Sequence, residues 1–167
     1  ALVIDSQEYA LLISDEVTRA VAQHRRRDHL EVALDSGVPH ARVVATQVKY
    51  LARAAVKLPS YAAAQCILPP LAFEQASSER CAARKTIGGD RVLDLTCGLG
   101  VDAFALSRRF RRVVTLERNE WLARIAQENF RRLGVANVEV VCAAAEDYLQ
   151  HADGCFDWVY ADPDRRS

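Results

Sequence analysis

Apolar and polar positions change their period near residue 90. Up to about residue 60 the spacing is helical: Val17, Ala20, Val21 and His24 fall on one face, and Asp5 with Glu8 has the spacing of a capping box. Gly37 and Pro39 punctuate this region. A second amphipathic helix carries Val43, Val44, Gln47, Leu51 and Ala55 until Lys57-Leu58-Pro59 ends it. Pro69-Pro70 opens a further helix, expected over Leu71 to Lys85 and stopped by Gly88-Gly89. Gln75, Ser77 and Ser78 lie at its centre, where serine is unfavourable, so functional polarity competes there with plain exposure.

From Arg91 the pattern is that of a parallel αβ unit. Apolar runs at Arg91 to Leu95, Val113 to Leu116, Val138 to Cys142 and Asp157 to Ala161 predict four strands. Helical segments at Ala103 to Phe110, Glu120 to Leu133 and Glu146 to Gln150 separate them, and Gly134 closes the second. The expected fold class is α/β, half or more of a doubly wound sheet with right-handed crossovers, behind a helical region. The domains are drawn at residues 1–60 and 61–167. A fourth strand left on an open edge would be unpaired, and the chain lacks Met and opens on Ala1, so a longer native polypeptide is expected.

Bulk composition excludes more than it names. Half of the 167 residues are apolar, enough for one sizeable core, and 22 basic residues balance 22 acidic ones. Any nucleic-acid surface must therefore be local. Nineteen of the 22 basic residues are Arg, which suits phosphate forks but also follows from a GC-rich genome. The run Arg25 to His29 reads as the solvated face of the first long helix, with RNA contact as the rival reading. Five cysteines without a C-x-x-C pair speak against disulfides or zinc and for reduced thiols, hence a cytoplasmic location and no metal. No apolar run approaches the ~20 residues of a membrane span.

The chemistry concentrates at Arg91-Val-Leu-Asp-Leu-Thr-Cys-Gly-Leu-Gly-Val-Asp102, a strand, a glycine turn and a helix start. Such a turn brings backbone close to a nucleotide. Gly98-x-Gly100-x-x-Ala103 with Glu117 after the next strand satisfies the dinucleotide fingerprint, which would make an NAD-type oxidoreductase. Asp94 disfavours that reading, because an acid repels a pyrophosphate. It suits S-adenosylmethionine, whose sulfonium and ammonium are cationic and whose ribose diol fits a carboxylate such as Glu117.

Asp94-x-Thr96-Cys-Gly98-x-Gly100-x-Asp102, Leu116-Glu-Arg118-Asn119 and Tyr160-Ala-Asp162-Pro163 resemble successive motifs of class I S-adenosylmethionine-dependent methyltransferases. More narrowly, Leu58-Pro59, Glu74-Gln-Ala-Ser-Ser-Glu79 and Asp162-Pro163-Asp-Arg165-Arg166 resemble a bacterial group of methyltransferases with a THUMP-like domain. The likeness covers about residues 57–167. It implies a Rossmann-like sheet of which four strands are present, Ser77 and Ser78 beside the methionine portion of the cofactor, and Arg118 along the adenine. Ala144 stands where class members often place an adenine-binding acid, and Asp147 is the nearest substitute. Asp162 and Pro163 keep half of the Asp-Pro-Pro-aromatic tetrapeptide of exocyclic-amine methyltransferases, so Asp162 is expected to orient the acceptor, with Pro163 beside it.

Three readings follow. The first is a cytoplasmic S-adenosylmethionine-dependent methyltransferase acting on RNA, an exocyclic base amine being a compatible acceptor. The second is the NAD-binding oxidoreductase, and the third a non-catalytic module that binds S-adenosylmethionine or RNA.

Overall fold

The computed structural model describes residues 4–151 and 154–162. The chain divides into two compact units, Ala1–Glu74 and Gln75–Ser167.

The first unit is helical: α1 (Ser6–Ile13), α2 (Asp15–His24), α3 (His29–Leu34), α4 (Ala41–Lys57) and α5 (Pro59–Ala63), with α6 (Pro70–Gln75) at the boundary. The expected first long helix is broken at Ser14. Its hydroxyl donates to the Leu11 carbonyl at 2.8 Å and accepts the Val17 amide at 3.2 Å, ending α1 and capping α2. Asp5 caps α1 by accepting the amides of Gln7 and Glu8. Arg25 to Arg27 follow α2 instead of lying on a helix face, and Arg27 pairs with Asp35 at 2.9 Å. In α4, Val44, Val48, Leu51 and Ala54 are buried with Gln47. The Gln47 amide donates to the Leu68 carbonyl and accepts the Leu68 amide, which satisfies a buried polar side chain at both ends.

The helix expected over Leu71 to Lys85 is two short helices, α6 and α7 (Glu79–Ala82). Serine again explains the break: the Ser78 hydroxyl accepts the Cys81 amide at 3.1 Å and caps α7.

The second unit follows the expected alternation through β1 (Gly89–Asp94), α8 (Val101–Leu106), β2 (Phe110–Glu117), α9 (Glu120–Arg132), β3 (Val138–Cys142), α10 (Ala145–His151) and β4 (Trp158–Tyr160). All strand pairs are parallel and the order is β3-β2-β1-β4, a Rossmann-like α/β arrangement. β2 starts at Phe110, three residues earlier than its apolar run, because Arg111 and Arg112 extend it on exposed ion pairs to Asp90 and Glu139. Leu93, Val114 and Leu116 are buried at the sheet centre, with Leu95, Val141, Tyr148 and Phe156 packed against them. β4 lies on an edge with Trp158 and Val159 exposed. No helix among the described residues is long and apolar enough to cross a membrane.

Candidate functional site at the strand ends

Strand order places β1 between β2 and β4, so the chain leaves the carboxyl end of β1 where the sheet's direction of growth reverses. Open αβ sheets hold ligands at that point. Asp94 ends β1, in register with Thr115 of β2 and Tyr160 of β4. It is fully buried. Its Oδ1 accepts the Thr96 amide at 3.0 Å and hydroxyl at 3.3 Å, and its Oδ2 accepts the Thr115 hydroxyl at 2.7 Å. Burial outweighs these bonds, and Asp102 adds repulsion, so the Asp94 carboxyl is pushed up to about 6. The Thr96 hydroxyl also accepts the Asp162 amide at 2.9 Å, joining the ends of β1 and β4.

The two glycines of the turn serve different ends. Gly100 has φ +84°, and a Cβ there would lie 2.6 Å from the Phe130 ring of α9. It is what lets the turn pack on that helix. Gly98 has φ +52° and faces open space, since a Cβ there would meet nothing within 4 Å.

Five amides of the turn are already in use. Leu95 N donates to Tyr160 O, Cys97 N to Leu116 O and Gly100 N to Cys97 O, while Thr96 N serves Asp94. Gly98 N donates to Glu117 Oε2 at 3.0 Å, and the other Glu117 oxygen accepts Asn119 N at 2.9 Å. Two amides thus fix this carboxylate at the end of β2, half-buried, with lone pairs remaining on both oxygens.

Asp102, in the first turn of α8, is closed off differently. Lys85 Nζ donates to its Oδ1 at 2.5 Å and the Tyr160 hydroxyl to its Oδ2 at 3.1 Å. The Lys85 ammonium also stands 4.9 Å from the Tyr160 ring centroid. Partial burial and the adjacent acids raise the Tyr160 phenol far above its ordinary range, so it stays a donor. Burial, with Asp94 beside it, likewise pushes the Cys97 thiol up and removes it as a nucleophile.

Residues 92–163 match a family model described as methyltransferase domain. That stretch is similar to a methyltransferase domain and is less than half of the 167-residue chain. It is 43% identical over 82 residues to a 23S rRNA (uracil(1939)-C(5))-methyltransferase of Alkalilimnicola ehrlichii, covering 46% of this chain and 18% of that protein. It is 29% identical over 100 residues to ribosomal RNA small subunit methyltransferase J of Francisella philomiragia, covering 52% and 42%. Protein-L-isoaspartate O-methyltransferase 2 of Nitrosococcus oceani is 41% identical over 69 residues, covering 41% and 27%. The chain therefore spans less than half the length of these relatives. Among solved structures, a candidate methyltransferase from Porphyromonas gingivalis W83 superposes with a TM-score of 0.76 at 27% identity, over 99% of this chain and 43% of that one.

S-adenosylmethionine is the cofactor of a class I methyltransferase domain. At the strand ends the structure joins Asp94, Thr96 and the Asp162 backbone in one set of bonds, Gly98 and Glu117 in a second, and Asp102 with Lys85 and Tyr160 in a third. Ser77 and Ser78 are half-buried, Ser78 capping α7. Arg118 and Asp147 are exposed and take no part in these sets. Pro163, Arg165 and Arg166 lie outside the described residues, as does residue 164. No cluster among the described residues could hold a metal ion.

Three residues at the strand ends received no role from the sequence: Lys85, Thr115 and Tyr160. Thr115 read as an ordinary strand position, and Tyr160 only as the first residue of the motif that leads to Asp162-Pro163. Lys85 carried a signal, because this chain uses Arg for 19 of its 22 basic residues.

Proposed function

We propose that this chain is the cofactor-binding part of an S-adenosylmethionine-dependent methyltransferase that acts on RNA. The observation that carries the cofactor assignment is the state of the turn: the amides of Leu95, Thr96, Cys97, Gly98 and Gly100 are all spent within the protein. A pyrophosphate needs such amides free and pointing at it. Here a carboxylate takes the Gly98 amide, so the turn suits a phosphate-free, cationic ligand and not a dinucleotide. Glu117 receives the ribose diol on its remaining lone pairs, the space above Gly98 receives the nucleoside, and Arg118 and Asp147 flank the adenine. Asp94, Thr96, Ser77, Ser78 and Asp102 shape the methionine end.

The sulfonium supplies the chemistry when the cofactor is bound, since it is already a good leaving group. The protein's own work is to hold the acceptor in line and exclude water. Asp162 with Pro163 orients the acceptor at the end of β4. The RNA assignment is supported by the ribosomal RNA methyltransferases among the relatives and by the Asp162-Pro163 start of an amine-orienting motif. Kinship with the THUMP-like-domain group is part of the same reading.

Calorimetry with S-adenosylmethionine, its demethylated product and NAD tests the cofactor, binding of the first two being expected. NAD binding without S-adenosylmethionine binding overturns the assignment. Labelled S-adenosylmethionine offered with total RNA and with protein extract tests the acceptor; label confined to protein ends the RNA reading.

A further inference from the structure

Nothing in the roles above uses Lys85 or the Tyr160 hydroxyl, yet with Asp102 they form a largely enclosed charged cluster. The Lys85 and Asp102 side chains are 21% and 11% exposed, at a separation of 2.5 Å. The cluster draws together three elements: the segment after α7, the first turn of α8 and the last residue of β4. β4 is three residues long. Beyond its ladder, three polar bonds hold its end: the Tyr160 hydroxyl to Asp102 at 3.1 Å, Leu95 N to Tyr160 O at 2.9 Å and Asp162 N to Thr96 Oγ1 at 2.9 Å.

We propose that Lys85 and Tyr160 are positioning residues: through Asp102 they fix the end of β4, and with it Asp162, against the glycine turn. Lys85 neutralises Asp102 and holds its carboxylate in the orientation that accepts the Tyr160 hydroxyl. With the ammonium removed, Asp102 turns toward water, the hydroxyl bond is lost and the end of β4 keeps only Leu95 N to Tyr160 O and Asp162 N to Thr96 Oγ1. The consequence for transfer rests on the methyltransferase reading above, whereas the tether itself does not.

The test uses Lys85→Met, Tyr160→Phe and Lys85→Arg in the full chain. Hydrogen exchange at the Asp162 and Leu95 amides is expected to quicken about tenfold or more in Lys85→Met and Tyr160→Phe, with Ala126 in α9 unchanged and Lys85→Arg near wild type. In methyl transfer, kcat is expected to fall about tenfold while KM for S-adenosylmethionine stays within about twofold. Unchanged exchange at Asp162 in both variants overturns the tether. Faster exchange with unaltered kcat, or a rise in KM alone, overturns the positioning role. A wild-type chain that transfers no methyl to any acceptor counts against the proposed function, and exchange alone then decides the tether.

Discussion

The Glu117 carboxylate accepts the Gly98 amide at 3.0 Å, so the end of β2 holds the turn that follows β1. In the proposed function the same side chain also receives the ribose. Glu117→Gln keeps the shape but loses the charge and one acceptor. Affinity for S-adenosylmethionine should fall about 10- to 100-fold, read by calorimetry, because hydrogen bonds to a charged group contribute ~1.5–3 kcal/mol.

Asp94 sets fold against function. Its carboxyl titrates near 3.8 when unfolded and about 6 in the folded chain, so the folded chain binds more protons between those values. The stability tied to the neutral carboxyl is complete below the lower value and is lost as pH rises through about 6. Asp94→Asn should therefore be more stable than wild type at pH ~8, by up to about 3 kcal/mol in urea unfolding, with the advantage gone near pH ~4. The same substitution should abolish cofactor binding, and wild-type binding should strengthen as pH rises through about 6.

Alanine at the two glycines should separate packing from ligand space. Gly100→Ala meets Phe130 at 2.6 Å in a left-handed conformation and should cost about 2–4 kcal/mol of stability in chemical denaturation. Gly98→Ala meets nothing, so only the ~1–2 kcal/mol of its backbone conformation is lost. Its larger effect should be on calorimetric affinity for S-adenosylmethionine.

Thiol labelling checks the burial around the turn. Cys81, Cys142 and Cys155 are exposed and should react rapidly with a disulfide reagent, while Cys66 and Cys97 should react only on unfolding. Rapid loss of the Cys97 thiol in the native chain would contradict the packing of the turn.

The parallel sheet was legible because strand burial leaves a direct trace: four apolar runs, separated by helical spacing, became β1 to β4. Helix breaks were less legible. Ser14 and Ser78 each interrupt a helical pattern with one hydroxyl bond, and a periodicity averaged over a dozen residues does not register a single cap. Within the site, Asp94, Gly98 and Glu117 stood out by type and spacing. Which of them bond to each other did not, because the Glu117 to Gly98 bond spans 19 residues and depends on strand register. Gly100 illustrates the limit: nothing in its spacing announced the Phe130 ring packed against it.

The glycine turn satisfies the amides of Leu95, Thr96, Cys97, Gly98 and Gly100 within the protein. A loop that closes on its ligand must reopen to let it go, and that motion governs turnover in many enzymes. Those five amides have no bonds to exchange on arrival or departure, so in the proposed function the turn is a fixed jig. Spent cofactor would then leave and fresh cofactor enter by simple competition for the same rigid seat, which places the burden of timing on the acceptor.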